Sequence, residues 1–182
     1  MQHKDEDIKV LNWKDSIRMR PGMYLGNTSH FGIWNMIENV FDDIINRKNE
    51  PITTTVTLND KQIILLFSLE DTEMLYNYAK ENNLDKIFVP GSPLINAMYY
   101  GILLLINKQT KIEIGFNKKV VEVKSFDSII EECKERDNIN IDNYIKIDFL
   151  LDDNIFQNTT PNYDHICENI QMFAYLFQLY NL

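Results

Sequence analysis

The chain has 182 residues, of which 45% are hydrophobic and 25% charged, values that fit one globular domain with a sizeable core. Its formal net charge of −9 argues against independent binding to duplex DNA, which requires Lys and Arg to neutralise phosphates, and leaves a solvated acidic surface able to meet a basic protein. No apolar run approaches the roughly 20 residues of a membrane span, the N-terminus lacks a signal-peptide core, and Cys133 and Cys167 are too few for a disulfide framework, so a cytoplasmic protein is expected.

No repeat, low-complexity tract or linker interrupts the chain, so residues 1–182 are read as a single domain. From Phe31 to Lys48, Ile33, Met36, Ile37, Val40, Phe41, Ile44 and Ile45 recur with the spacing of one helical face, and Glu50-Pro51 ends the helix. Thr53–Leu58 alternates and is β-branched, Asn59-Asp60 offers a turn, and Gln62–Leu69 is an almost wholly apolar strand, which together predict a hairpin. Thr72–Leu84 reads as a weakly amphipathic helix. Pro93–Ile106 reads as a buried one, with Ser92 as its N-cap and Pro93 at its first position.

Lys111–Phe116 and Lys119–Lys124 predict a second hairpin around Asn117-Lys118. A short amphipathic helix is expected over Ser128–Arg136, a strand over Tyr144–Leu150, and an aromatic-rich closing helix over Tyr163–Tyr180. Grouped hairpins separated by helices suggest an antiparallel or mixed sheet with helices packed on one face.

The run Ile17-Arg18-Met19-Arg20-Pro21-Gly22-Met23-Tyr24-Leu25-Gly26-Asn27-Thr28 closely resembles the opening of the ATPase domains of gyrase B and topoisomerase IV. Pro21-Gly22 and Gly26 are expected to shape a tight loop before a helix, with Met23 and Tyr24 packing beneath it. Weaker collinear similarities follow at Gly91–Met98, at Asp153-Asn154-Ile155-Phe156 and through the last helix. The resemblance implies the α/β (α+β) two-layer sandwich of the GHKL superfamily, with a mixed, mostly antiparallel sheet and helices on one face.

It also implies where a nucleotide site would lie. In the family the first long helix carries Glu-x-x-Asp-Asn, whose Glu polarises the attacking water and whose Asn supplies an oxygen to Mg²⁺. Asn39, Asp42 and Asp43 take the matching places here. An amide cannot act as a base near neutral pH, so Asn39 implies loss of the general base. Glu38 stands one helical step away, about 100° around the axis, and only a one-residue register slip would bring it into that role. Asp43 remains a hard-ligand candidate for metal. The bland reading is that Asp42, Asp43 and Asn46 form the polar side of an amphipathic helix.

The family's Asp-x-Gly-x-Gly, which contacts adenine, is replaced by Phe67-Ser68-Leu69-Glu70-Asp71, and Phe67 and Leu69 are expected to fill the adenine cavity. Between Asp71 and Gly91 there is no glycine, so the phosphate lid is reduced, and Pro90 cannot donate an N–H. Gly91, with Asn96 in the helix behind it, is the surviving candidate for an anion contact. Gln109-Thr110-Lys111 matches a γ-phosphate tripeptide that the family places in a following domain, and is read as coincidence. His3, His30 and His165 have no metal or triad spacing, and the seven residues before Ile8 make a short N-terminal arm without a Tyr.

Two functions compete. One is a stand-alone, non-catalytic gyrase-B-like domain that binds a protein partner, for instance as a bacterial immunity or antitoxin protein, with no cofactor. The other is an ATP/Mg²⁺-binding protein with weak or no hydrolysis, using Asp42, Asp43, Gly91 and Asn96. An unrelated small-molecule pocket on a bystander fold is a third reading. An apolar plug at Phe67 and Leu69 favours the first, and an open cavity beside Asp42 and Asp43 the second. Phe173, Tyr175, Phe177 and Tyr180 crowd the last helix and are expected to be mostly core, with one or two available to a partner.

Overall fold

The computed structural model describes residues 13–46, 52–81, 97–131, 133–138, 143–157 and 159–180. Seven helices and seven strands are present among them: α1 (Trp13–Met19), α2 (Pro21–Leu25), α3 (His30–Asn46), β1 (Thr53–Asn59), β2 (Gln62–Ser68), α4 (Glu73–Glu81), α5 (Ala97–Ile106), β3 (Asn107–Phe116), β4 (Lys119–Phe126), β5 (Ile129–Ile130), β6 (Lys134–Asp137), β7 (Tyr144–Leu151), α6 (Asp153–Phe156) and α7 (Tyr163–Tyr180). The sheet runs β1-β2-β7-β3-β4-β5, with β6 also paired to β4. Every described pairing is antiparallel, with no parallel component.

The register explains the two faces. Leu65 of β2 stands opposite Ile147 of β7, which opposes Ile112 of β3, which opposes Val123 of β4. Phe67, Ile145, Ile114 and Val121 form the next such row, and all eight side chains are buried. The period of two therefore sends one set of residues to a single apolar face. The expected helices lie on that face. Phe41 of α3 meets Phe67, Tyr76 of α4 meets Phe116, and the Leu103 carbonyl of α5 accepts from Thr110 Oγ1.

The opposite face is polar. Glu113, only 5% exposed, is paired with Arg136 at 2.7 Å and Lys111 at 2.7 Å, and Lys111 also reaches Glu122. Burial pushes the Glu122 carboxyl up, but the flanking Lys124 and Lys111 outweigh it and hold it at about 2. The Tyr144 ring packs against its cross-strand neighbour Gly115, where an added Cβ would sit 2.3 Å from the ring.

Two expectations are corrected. The described residues of Ser128–Arg136 are not helical. Asp127 and Ser128 both take positive φ (46° and 68°), which turns the chain back so that Ile129–Ile130 pair with Ser125–Phe126. Lys134–Asp137 then lie along Lys119–Glu122, so sheet pairing overrides a weak helical pattern. The Pro21–Leu25 loop is a short helix with Pro at its first turn, and it ends at Gly26, whose φ of 77° suits glycine. Leu25 is buried and Tyr24 packs on the core, but Met23 is 72% exposed because this single turn presents Leu25 inward instead.

The signature run acts as a clamp. Arg18 donates to the Leu105 carbonyl at 2.7 Å, to Ser128 Oγ, and to Asp152 Oδ2 at 3.0 Å. Asp152 is 2% exposed, and its other oxygen accepts from the Asn154 N–H to cap α6. Asn27 Oδ1 accepts from the N–H groups of Ser29 and Gly32 at the start of α3. The Asn27 carbonyl packs so closely there that a Cβ on residue 32 would lie 2.0 Å away. Arg18→Ala is expected to cost about 2–3 kcal/mol, because it strands the buried Asp152 carboxylate. Arg18→Lys should recover less than half, since an ammonium cannot bridge three acceptors in a fork. Urea denaturation measures both.

Candidate functional site

Helix α3 carries the polar residues of interest on a segment whose apolar stripe is anchored in the core: Ile33, Met36, Ile37, Val40, Phe41 and Ile44 are all buried. The 3.6-residue repeat therefore fixes where the polar positions emerge. Asn35 donates to the Leu25 carbonyl at 2.8 Å, tying α2 to α3. Asn39 donates to the Asn35 carbonyl of its own helix at 2.7 Å, so this amide serves the helix backbone.

Asp43 does not lie on a solvated polar face, as the amphipathic reading held. It is 2% exposed, and its Oδ2 accepts from the Tyr100 hydroxyl of α5 at 2.8 Å. The pair spans the gap between α3 and α5 and is enclosed by the core. Asp42 is half-buried, one step around the helix. It shares its side of α3 with Glu38, four residues earlier. Burial raises both carboxyls above the ordinary range. The Asp42 charge raises Glu38 further, and the Trp34 indole N–H, donating to Glu38, partly offsets this.

The stretch Phe67–Asp71, which replaces the family's Asp-x-Gly-x-Gly, is equally well defined. Phe67 is completely buried, and its ring meets Phe41 edge-on at 5.1 Å. Leu69 is half-buried against the core, and its N–H donates to the Asn143 carbonyl. β2 keeps an unbroken register with β1 and β7 through Ser68, so no strand shift brings Glu70 or Asp71 to the Phe67 position. Asp71 instead accepts from the Glu73 N–H at 2.7 Å at the start of α4, and Glu70 is exposed. Gly91 and Asn96, the candidate anion contacts, and Ser92 and Pro93 lie outside the described residues. Gln109-Thr110-Lys111 lies within β3 and does not precede it. Thr110 is buried there.

Sequence spacing missed a cluster that folding assembles. His30, Phe31, Trp34 and Phe41 of α3 meet His165 and Phe173 of α7, with centroid distances of 4.1–6.3 Å along the chain of rings. His30 and His165, far apart in sequence, thus come together at 6.1 Å. The i, i+4 and i+11 recurrence of His30, Trp34 and Phe41 on α3 was the available signal. On the other side of the sheet, Gln62, Gln109, Lys111, Asp148 and Leu150 line a shallow cleft of ≈ 200 Å³, remote from α3. Among the described residues no cluster of three or more His, Cys, Asp or Glu side chains is arranged to hold a metal, and no helix is long and apolar enough to cross a membrane.

No protein-family model matches the chain. Its sequence is 25% identical to the B subunit of DNA gyrase from Spiroplasma citri over 87% of this chain and 28% of that protein. It is 26% identical to the B subunit of DNA topoisomerase 4 from Mycoplasma capricolum over 96% of this chain and 30% of that protein. A 58-residue stretch reaches 33% identity with the topoisomerase 4 B subunit of Staphylococcus epidermidis, over 30% of this chain and 9% of that protein. The 43K ATPase domain of Thermus thermophilus gyrase B, solved in complex with an aminocoumarin, superposes with a TM-score of 0.70 at 18% identity, covering 93% of this chain and 47% of that one. The B-subunit of Myxococcus xanthus DNA gyrase gives 0.61 at 17% identity, over 80% of this chain and 44% of that one.

Its relatives are the B subunits of gyrase and topoisomerase IV. The fold is that of the gyrase B ATPase domain, and the chain spans less than a third of the length of these curated relatives. The similarity of this gyrase-B-like chain to them extends well beyond its N-terminal signature.

The packing of the site sets the effect of its substitutions. Phe67→Ala should cost about 3–5 kcal/mol in denaturant unfolding, as a packed aromatic ring is removed. Tyr100→Phe, which leaves the buried Asp43 carboxylate without that hydroxyl, should cost about 1–3 kcal/mol. The raised carboxyls of Glu38 and Asp42 mean that the native state retains protons the unfolded chain releases. Their contribution is most favourable at and below the usual carboxylate range and declines as pH rises through the raised values. The Glu38→Gln, Asp42→Asn double variant should therefore melt higher than the parent at pH 7 and close to it at pH 4 in parallel thermal scans.

Proposed function

We propose that this chain is a gyrase-B-like domain without ATPase activity that acts by binding a protein partner. The observation that carries the reading is Phe67, fully enclosed against Phe41 at the position where the family resemblance places the adenine-binding Asp. A base entering that space would have to displace a packed aromatic ring.

The fit of a metal–nucleotide group to the described residues is poor for three further reasons. Asp43, the candidate Mg²⁺ ligand, is buried and bound by Tyr100. Asn39 offers an amide where the family has its general base, and that amide is engaged by the Asn35 carbonyl. Asp71 is committed to the start of α4. No catalytic step is assigned to such a group.

Kinship with topoisomerase B subunits favours a partner that recognises this fold, in the manner of an immunity or antitoxin protein that mimics or masks a topoisomerase domain. The acidic balance of −9 suits a basic partner surface.

A second reading, nucleotide binding with weak or no hydrolysis, has one observation in its favour. Glu38 and Asp42 keep the four-residue spacing of the family's base and metal ligand, displaced by one position, and both are half-buried with raised pKa values. In that reading Glu38 would stand in for the base.

Isothermal titration with a non-hydrolysable ATP analogue and Mg²⁺, carried to millimolar ligand, separates the two. No saturable heat is expected, and an aminocoumarin is expected to behave likewise. Saturable binding that is lost in Asp43→Ala or Glu38→Gln would overturn the partner-binding reading in favour of the second. The mimicry version further predicts that a gyrase B or topoisomerase IV ATPase domain competes with this chain for its partner.

A further inference from the structure

The two sides of the sheet end differently. On one side the edge is shared by β5, only two residues long, and by β6, whose Lys134, Glu135, Arg136 and Asp137 are every one charged and exposed. An edge strand of that composition resists pairing with another chain. On the other side lies β1, Thr53-Thr54-Thr55-Val56-Thr57-Leu58-Asn59, with no charge, no proline and no bulge in its register with β2. Among the described elements β2 is its only strand partner and its one extensive packing neighbour. Among the described residues β1 is therefore a seven-residue edge with no charge, proline, bulge or covering element, and it is rich in β-branched residues.

The edge is also held firmly. The Asp60 carbonyl accepts from the Tyr163 hydroxyl of α7 at 2.6 Å, and Lys61 pairs with Asp153 of α6. These contacts fix the hairpin turn in place, so little ordering is needed before the edge can pair.

We infer that β1 is a self-association edge, pairing antiparallel with β1 of a second copy of this chain about a two-fold axis at Val56. The sequence is self-complementary in that register. Val56 faces Val56 of the other copy, Thr54 faces Leu58, Thr55 faces Thr57, and Thr53 faces Asn59. No like charges meet, and each side chain stays on its own side of the sheet. Thr54, Val56 and Leu58, opposite Phe67, Leu65 and Ile63, lie on the helix side, and the other four lie on the polar side.

The backbone pattern agrees. Asn59 and Gln62 flank a two-residue turn, so 59, 57, 55 and 53 exchange hydrogen bonds with β2. The N–H and C=O groups of Thr54, Val56 and Leu58 therefore point outward. These are the groups that a copy centred on Val56 would meet. An isologous contact of this kind closes on itself and makes a dimer, with no tendency to grow into a fibre. A partner of a different sequence would need its own complementary strand, and nothing in β1 selects one.

The test is the mass of the purified 182-residue chain by sedimentation equilibrium, from low micromolar to several hundred micromolar. A concentration-dependent monomer–dimer equilibrium is expected. Thr55→Lys with Thr57→Lys sets four lysines around the axis and should weaken the dimer at least tenfold. Thr55→Lys with Thr57→Glu places each Lys opposite a Glu and should restore it. Both pairs change exposed positions, and circular dichroism checks that each variant is folded. A strict monomer across the range overturns the proposal. So does a dimer indifferent to the double lysine variant, which must use another surface, and so does loss of the dimer in the Lys/Glu variant despite native circular dichroism.

Discussion

Strand β7 lies between the two hairpins and hydrogen-bonds to both, and the rest of the structure depends on it. β1-β2 and β3-β4 each form from neighbouring residues, but neither can bury its apolar face alone. Tyr144–Leu151 joins them by pairing with Gln62–Ser68 on one side and Asn107–Gly115 on the other. Only then do Leu65, Ile147, Ile112 and Val123 align into a continuous surface that α3, α4 and α5 can cover. The cost is topological, since β2 must wait for a strand some 80 residues later, and non-local pairing of this kind is slow.

The end of β7 leads directly into the clamp. Asp152 follows the strand, caps α6 with one oxygen and receives Arg18 with the other. Arg18 of the signature run thus connects α1 to the Asp152 cap of α6 through a partly buried ion pair, and to α5 through the Leu105 carbonyl. Its role in this chain is architectural.

The pocket region illustrates how a polar site and an apolar core compete for one space. Phe67 sits on the core-facing side of β2, in the same row as Ile145, Ile114 and Val121. A carboxylate there would carry a desolvation cost unless a ligand satisfied it, whereas a phenyl ring gains from burial. Asp43, four residues beyond Asn39, is likewise drawn inward and satisfied by a tyrosine hydroxyl. Tyr100, Phe67 and Phe41 together put protein groups into the region where α3 faces β2 and α5. Glu38 and Asp42 keep more contact with water than Asp43, and burial raises both carboxyls above the ordinary range.

By itself the sequence determined the long helix α3, both hairpins with their turns at Asp60 and at Asn117-Lys118, the strand β7 and the closing helix. Each has a period, a turn dipeptide or a cap that acts locally. It also set Phe67 in an almost wholly apolar strand, where a large ring favours burial. The tertiary structure alone decided the rest. It paired Ile129–Ile130 and Lys134–Asp137 with β4 as edge strands because β4 offered free hydrogen-bonding groups. It exposed Met23 by winding residues 21–25 into a single helical turn, and it buried Asp43 by supplying Tyr100 from a distant helix. It brought His30 and His165 into one aromatic cluster through the packing of α7 on α3. These outcomes depend on which surfaces meet across long separations, and a local pattern carries no information about that meeting.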